Sequence, residues 1–397
     1  MEIKKKFLEH IFVSASIRRW NDQACPVEFI ELDKQAHKML IAFLLANLEE
    51  ENGNYVDKER LIKYFLFNFF ERIALTDIKP PIFYELQKEC KKELANFACE
   101  SFADELSSEF LGEMREYLST DASDIESKIL LAAHFHASKW EFDIIYNFNP
   151  RLYGVQNIKD AITASIRANE GSLKSIKELY ALHYKDLVDM FAQLRFQKRW
   201  SQTPRVPATS VLGHMLIVAI SSYFFSTKLG LCEKMRTNNF FAGLFHDLPE
   251  VLTRDIISPV KKSDARLGLH LREIEEKLML ENVYSKIPNL VAKNLKYYIE
   301  NEFANKYIDK DGNIKCLLPK EIESFIATYN QDSFNPVCGN LVDFADKMSA
   351  CMEASISIKH GITSEHLRQG ISNIARLKKD FAWINGQLGD ILSTIDI

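Results

Sequence analysis

Glycine and proline are scarce in this chain of 397 residues, 14 and 11 in all, too few for an architecture of tight turns and short strands. Long amphipathic runs fill the space, so the expected fold class is all-α. Cysteines offer no scaffold either. The seven (25, 90, 99, 232, 316, 338, 351) are odd in number and form no CxxC pair, which reads as reduced thiols in a cytoplasmic protein. An excess of basic residues is also missing. With 50 Lys and Arg against 55 Asp and Glu, the formal net charge is −5, which argues against a general nucleic-acid surface. No apolar run is expected to cross a membrane. The opening MEIKKKFLEHIF has basic residues without the apolar stretch and small-residue cleavage site of a signal peptide.

What remains is a globular composition, 47% hydrophobic and 26% charged, long enough for two domains with a core each. Helices are expected over about 5–17, 33–49, 57–75 and 83–118, the last with charge and apolar positions interleaved. Asp121 or Ser123 suits the cap of the next, which carries His134, His136 and Trp140. The polar break Asn169-Glu170-Gly171-Ser172 is the expected boundary between domains 1–170 and 171–397. Beyond it, helix is expected over 173–197, from Thr209-Ser210 onward around His214, over 264–281, and around Asp343–Met348. Residues 300–335 read as an inserted excursion. Its Asp309-Lys310-Asp311-Gly312-Asn313 is better taken as a turn than as a calcium loop, since no Glu stands at the twelfth position.

The second half repeats landmarks of the first in the same order. LFHDLPEVLTRDIISPVK (244–261) lies over LFNFFERIALTDIKPPIF (66–83), Arg199-Trp200 over Arg19-Trp20, and DFADKMSACMEA (343–354) over LAAHFHASKWEF (131–142). His214 falls near His37 after a three-residue difference in length. The chemistry differs between copies. Asn68, Phe69, Arg72 and His134 in the first half stand opposite His246, Asp247, Glu250 and Asp346, so only the second half can hold a metal. His37, His134 and His136 read as satisfied core histidines.

In the second half an apolar helical run through Phe240, Phe241, Leu244 and Phe245 continues into the adjacent His246-Asp247, with Glu250 back on the same helical face. Charged groups on an apolar face are costly to bury uncompensated. His214, His246, Asp247 and Asp346 supply two imidazoles and two carboxylates from three predicted helices, a set that can converge inside a bundle. Two carboxylates neutralise a divalent ion, and mixed N/O donors suit Mn, Co, Fe, Ni or Zn. Four ligands leave room for water and a substrate oxygen.

An H…HD…D pattern spread across helices resembles the HD-domain metal-dependent phosphohydrolases. Arg199-Trp200, His214, His246-Asp247-x-x-Glu250, Thr253-x-Asp255, Pro259-Val260-Lys261 and Asp346 together are similar to the bacterial HD-domain 5′-deoxynucleotidases over about 190–360. The resemblance implies His214, His246, Asp247 and Asp346 as metal ligands and Glu250 as the group handling protons. It further implies Arg199 and Lys261 on phosphate, Trp200 on the sugar and Asp255 on its 3′ hydroxyl. The expected fold is therefore two tandem HD-like bundles, the N-terminal one degenerate. The expected activity is phosphomonoester hydrolysis of small nucleotides, with neither nucleic acid nor membrane as partner. The chain is expected as a monomer with pseudo-dimeric halves or as a homodimer. The alternatives are a non-catalytic signalling or scaffold module, and a hydrolase of nucleoside triphosphates, cyclic nucleotides or guanosine polyphosphates.

Overall fold

The computed structural model describes residues 5–180, 182–254, 256, 264–317 and 322–395. Among the described residues helices dominate and the few strands are short, in agreement with the all-α expectation. The described residues divide into two compact units, one spanning His10–Asp189 and the other running from Met190 onward together with residues 5–9.

The first unit follows α1 (Lys5–Val13) with β1 (Arg18–Arg19) and β2 (Phe29–Ile30), an antiparallel pair, then α2 (Glu31–Glu51) and α3 (Lys58–Leu75). Next come α4 (Pro80–Glu89), α5 (Lys91–Glu100), α6 (Ser108–Ser119), α7 (Ile125–Phe148), α8 (Val155–Asn169), α9 (Ser175–Leu179) and α10 (Leu182–Gln193). The single long helix expected over 83–118 is three helices. Cys90 closes one and opens the next, and Ser107 caps α6 by accepting from Phe110 N. Between them Phe102 and Leu106 turn inward and are buried, which a straight helix with charge on every side could not achieve. The cap of α7 is Asp124, which accepts from Ser127 N, rather than Asp121 or Ser123. The polar break 169–172 is a turn between α8 and α9, both inside the first unit.

The second unit contains α11 (Val211–Lys228), α12 (Glu233–Phe245), α13 (Glu250–Thr253), α14 (Ala265–Asn282) and α15 (Asn289–Ile299). There follow β3 (Asn305–Ile308), β4 (Ile314–Leu317), α16 (Ile322–Tyr329), β5 (Val337–Cys338), α17 (Gly339–Lys359), α18 (Glu365–Asp380), α19 (Ala382–Gln387) and α20 (Ile391–Thr394). Ser210 starts α11 by accepting from Gly213 N at 2.9 Å. Against expectation, α11 is long and apolar enough to cross a membrane by length and composition, yet 89% of it is buried inside the protein. A helix that is apolar all round is a core helix when other helices cover it. Of its buried hydroxyls, Ser226 Oγ turns back on the helix and donates to Ser222 O at 2.6 Å, while Ser221 Oγ and Ser222 Oγ make no hydrogen bond, a small cost against the apolar burial around them.

The helices α12 and α17 flank α11. Phe344 of α17 meets Phe225 of α11 with ring centroids 5.7 Å apart. A Cβ added to Gly243 would lie 2.9 Å from the backbone of Ala219, so glycine there lets α12 and α11 cross backbone to backbone. Residues 305–317 form an antiparallel hairpin whose turn is the DKDGN stretch, Asp309 Oδ1 accepting from Asp311 N at 3.0 Å and Asn313 N at 2.8 Å. β3 also pairs with β5, Asn305 opposite Cys338, and β5 leads directly into α17.

Candidate metal centre

The His246-Asp247 pair does not lie mid-helix as the spacing predicts. Helix α12 stops at Phe245, and the chain passes through tight turns, Leu248 N donating to Phe245 O at 3.0 Å and Glu250 N to Asp247 O at 3.1 Å. Pro249 has no N–H to give to Phe245 O, so the helix cannot continue. The pair therefore sits at an open helix end, where both side chains turn toward α11 and α17.

On α11, His214 is the fourth residue and is buried. Its Nδ1 lies 3.1 Å from Ser349 Oγ. Ser349 spends its one hydroxyl proton on Asp346 O at 2.9 Å, so the imidazole donates through Nδ1 and leaves Nε2 bare. That Nε2 faces Asp346 Oδ1 at 2.9 Å. His246 is fixed in the same way. Its Nδ1 is 2.8 Å from Gly243 O, which can only accept, so Nε2 again carries the lone pair. This Nε2 lies 3.1 Å from Asp247 Oδ2 and 4.0 Å from Asp346 Oδ1, is buried and makes no hydrogen bond. His214 Nε2 stands 3.9 Å from Asp247 Oδ2, and the donor atoms of His214, His246 and Asp346 all lie within 4.8 Å of one another.

Acceptors thus face acceptors, an arrangement stable only with a positive charge among them. Without a metal that charge is a proton. Burial opposes it, but Asp247 and then Asp346 push the His246 pKa up to about 9. His214 goes the other way, held below its ordinary value by burial and the Arg199 charge against the pull of Asp346. Burial favours the neutral form of Asp247 and Asp346, and the imidazoles beside them overcome it and hold both below the usual carboxylate range. Two imidazole nitrogens and two carboxylates fit a divalent transition metal. Each histidine already has the hydrogen bond on its other nitrogen that fixes a ligand's tautomer.

Beside the cluster, Arg199 Nη1 is 3.6 Å from Asp247 Oδ2. Trp200 adopts a left-handed backbone, φ 57°, at a cost of roughly 1–2 kcal/mol. One side chain that the motif reading missed holds both. The wholly buried Glu353 accepts from Trp200 Nε1 at 2.8 Å and Arg199 Nε at 3.4 Å, and also meets Arg205 Nη1 at 3.5 Å and the Thr209 hydroxyl. Glu353 lies seven residues beyond Asp346, two turns along the same face of α17, which was the available signal. Ser349, three residues beyond Asp346, was missed for want of any motif. A Cβ on Gly370 of α18 would come 2.9 Å from the Trp200 ring, so α18 packs directly on the indole.

Glu250 opens α13 one tight turn beyond Asp247 and is buried, its carbonyl accepting from Gln197 Nε2 at 3.1 Å. Asp255 and Lys261 lie outside the described residues. In the first unit the counterpart of His214 is not His37. Lys34 is the fourth residue of α2 as His214 is of α11, and His37, one turn on, packs against Trp140 with ring centroids 5.6 Å apart.

Residues 191–375 match the model of a family described as the HD domain. The candidate metal centre lies within the segment that matches the HD domain. All four candidate ligands fall inside the matched segment, as do Arg199, Trp200, Ser349 and Glu353. The HD domain is helical, as this unit is, and belongs to a superfamily of metal-dependent phosphohydrolases. No curated protein and no solved structure matches the chain.

Proposed function

We propose that the protein is a metal-dependent phosphomonoesterase that removes the 5′-phosphate from deoxynucleoside or nucleoside monophosphates. The observation that carries the proposal is the apposition of the guanidinium of Arg199 to a cluster whose bare imidazole nitrogens and carboxylates call for a cation. A divalent ion held by His214, His246, Asp247 and Asp346 would polarise a phosphoryl oxygen and make a bound water acidic. Arg199 offers a two-pronged donor to the phosphate oxygens, and Glu353 keeps it pointed there. Trp200, pinned through its Nε1, presents an apolar wall to the sugar. In hydrolysis a water oxygen bonds to phosphorus while the bond from phosphorus to the 5′ oxygen breaks. Glu250, buried next to the His-Asp turn, takes the attacking water's proton, and that proton passes on to the departing 5′ oxygen, which leaves as the nucleoside hydroxyl. The roles of Asp255 on the 3′ hydroxyl and Lys261 on phosphate rest on the motif resemblance.

The test combines metal analysis of the purified chain with a panel of phosphate esters, using Asp247→Ala as control. Bound metal and orthophosphate release from monophosphates, both lost in Asp247→Ala, support the proposal. Pyrophosphate release from triphosphates would move the activity to the triphosphatase reading. Metal without turnover would favour a scaffold module.

A further inference from the structure

The first unit reproduces the framework of the metal centre without its ligands. Trp20, like Trp200, has φ 57°. Its Nε1 donates to Glu141 Oε2 at 2.8 Å, and Arg19 Nε donates to the same oxygen at 2.8 Å, as Trp200 and Arg199 do to Glu353. Glu141 lies seven residues beyond His134, the spacing of Glu353 from Asp346. Lys34 Nζ meets His134 Nδ1 at 2.7 Å, where His214 meets Asp346 in the second unit. Helix α3 runs unbroken past Asn68 and Phe69. Asn68 Nδ2 is turned onto Tyr64 O, and Phe69 is buried in the core.

Against the second unit, Lys for His214, His for Asp346, Arg for Glu250 and Phe for Asp247 each move the charge in the positive direction. Glu31, at the position of Val211, and the buried Glu71, at the position of Pro249, move it back by less. Glu31 is buried and fully engaged, accepting from Arg19 Nη1 at 2.8 Å and Gln35 Nε2 at 2.6 Å and facing Arg72 Nε at 3.3 Å. Among the described residues Arg19 Nη2 and Arg72 Nη2 make no hydrogen bond, and the buried amine of Lys34 makes only the one to His134. The surroundings are short of negative charge. His134 is held well below its ordinary pKa by burial and then by Lys34, Lys38 and Arg19, and Lys34 is held down by burial against the pull of Glu31.

We propose that Arg19, Arg72 and Lys34 form an anion site in the first unit, a metal-free counterpart of the catalytic centre that takes a phosphate group. Three cations sharing one buried carboxylate neighbourhood have unspent donors, and a phosphate supplies both the acceptors and the charge. That the phosphate belongs to a nucleoside monophosphate rests on the reading of Arg199-Trp200 given above, since Arg19-Trp20 repeats that pair. The anion site itself rests on charge alone. Bound product or substrate at the first unit would then report nucleotide level to the chain without being turned over.

Hydrogen exchange of the full metal-loaded chain, with and without inorganic phosphate, tests this. Phosphate is expected to protect segments of α2 and α7, with adenosine failing to do so. Lys34→Met and Arg72→Gln should each weaken that protection about tenfold, the loss of one charge-assisted hydrogen bond, while bound metal stays unchanged and Lys34→Arg retains the effect. Arg72 is partly exposed, so its variant tests the site even where Lys34→Met fails to fold. Absence of protection in α2 and α7, or protection that survives both charge-removing variants, overturns the proposal. Protection of α2 and α7 with none near Arg199 would leave the anion site standing and count against the substrate reading.

Discussion

Replacing Glu353 with glutamine removes a negative charge from a position sealed from water. Burial alone would raise the pKa of this carboxyl. Arg205 first and then Arg199 outweigh it, holding the group at about 2 instead of 4.5. A depression of that size corresponds to about 3 kcal/mol of stability at neutral pH. The sign follows from which state takes the proton first. As pH falls the unfolded chain protonates at its ordinary value, so the contribution is complete well above 4.5 and is lost on the way down to about 2. Glu353→Gln should therefore lower the unfolding free energy by about 3 kcal/mol at neutral pH and by less than half of that near pH 3. Breaking a buried ion pair from one side costs about 3–5 kcal/mol by an independent route. At about 2–4 °C per kcal/mol the melting temperature should drop by about 6–12 °C. Urea titrations of the full chain at both pH values measure the gap. In the same variant, metal content should be retained while orthophosphate release falls, because Arg199 and Trp200 lose their anchor but the four candidate ligands do not. A gap below about 1 kcal/mol at neutral pH, or one that does not shrink in acid, would falsify the assignment of Glu353 as the charge that holds the pair.

Two further substitutions probe the centre from other sides. Ser349→Ala removes the group that fixes the His214 tautomer at 3.1 Å, and metal affinity measured by competition with a chelator should fall about 10–100-fold with little change in melting; unchanged affinity would mean the hydroxyl does not orient the ligand. Gly243→Ala forces a methyl to within 2.9 Å of the Ala219 backbone, and should cost about 1–3 kcal/mol by overpacking, with loss of metal affinity because His246 follows directly on the end of α12. A variant as stable as the parent would show that the two helices do not cross so closely.

Capping residues made several helices legible from sequence. Ser210 marks the start of α11 and Asp57 that of α3, since a side-chain acceptor just ahead of an apolar run is a local signal. The four candidate ligands were legible because few residue types bind metal and these stand in apolar surroundings. The interruption at Pro249 was visible in principle, yet the apolar periodicity continuing through Leu248 hid it. The long helix over 83–118 was misjudged because alternating charge looks the same whether a helix runs straight or bends to bury Phe102 and Leu106. Glu353 and Lys34 were not read as functional because their meaning is tertiary. A glutamate two turns past a ligand, or a lysine opposite a histidine of another helix, gains its role only when the bundle closes.

The hairpin of residues 305–317 separates His246-Asp247 from Asp346 along the chain, but it does not hang loose. Through the pairing of Asn305 with Cys338 it is bolted to the residue just before the helix that carries Asp346. It is placed as a strut: lengthening or twisting it would lever the start of that helix and shift Asp346 out of register with His214 and His246, from a point well away from the candidate ligands themselves. Variation in this insert is thus a route by which the depth and tilt of the candidate centre can be retuned while all four of its candidate ligands stay the same.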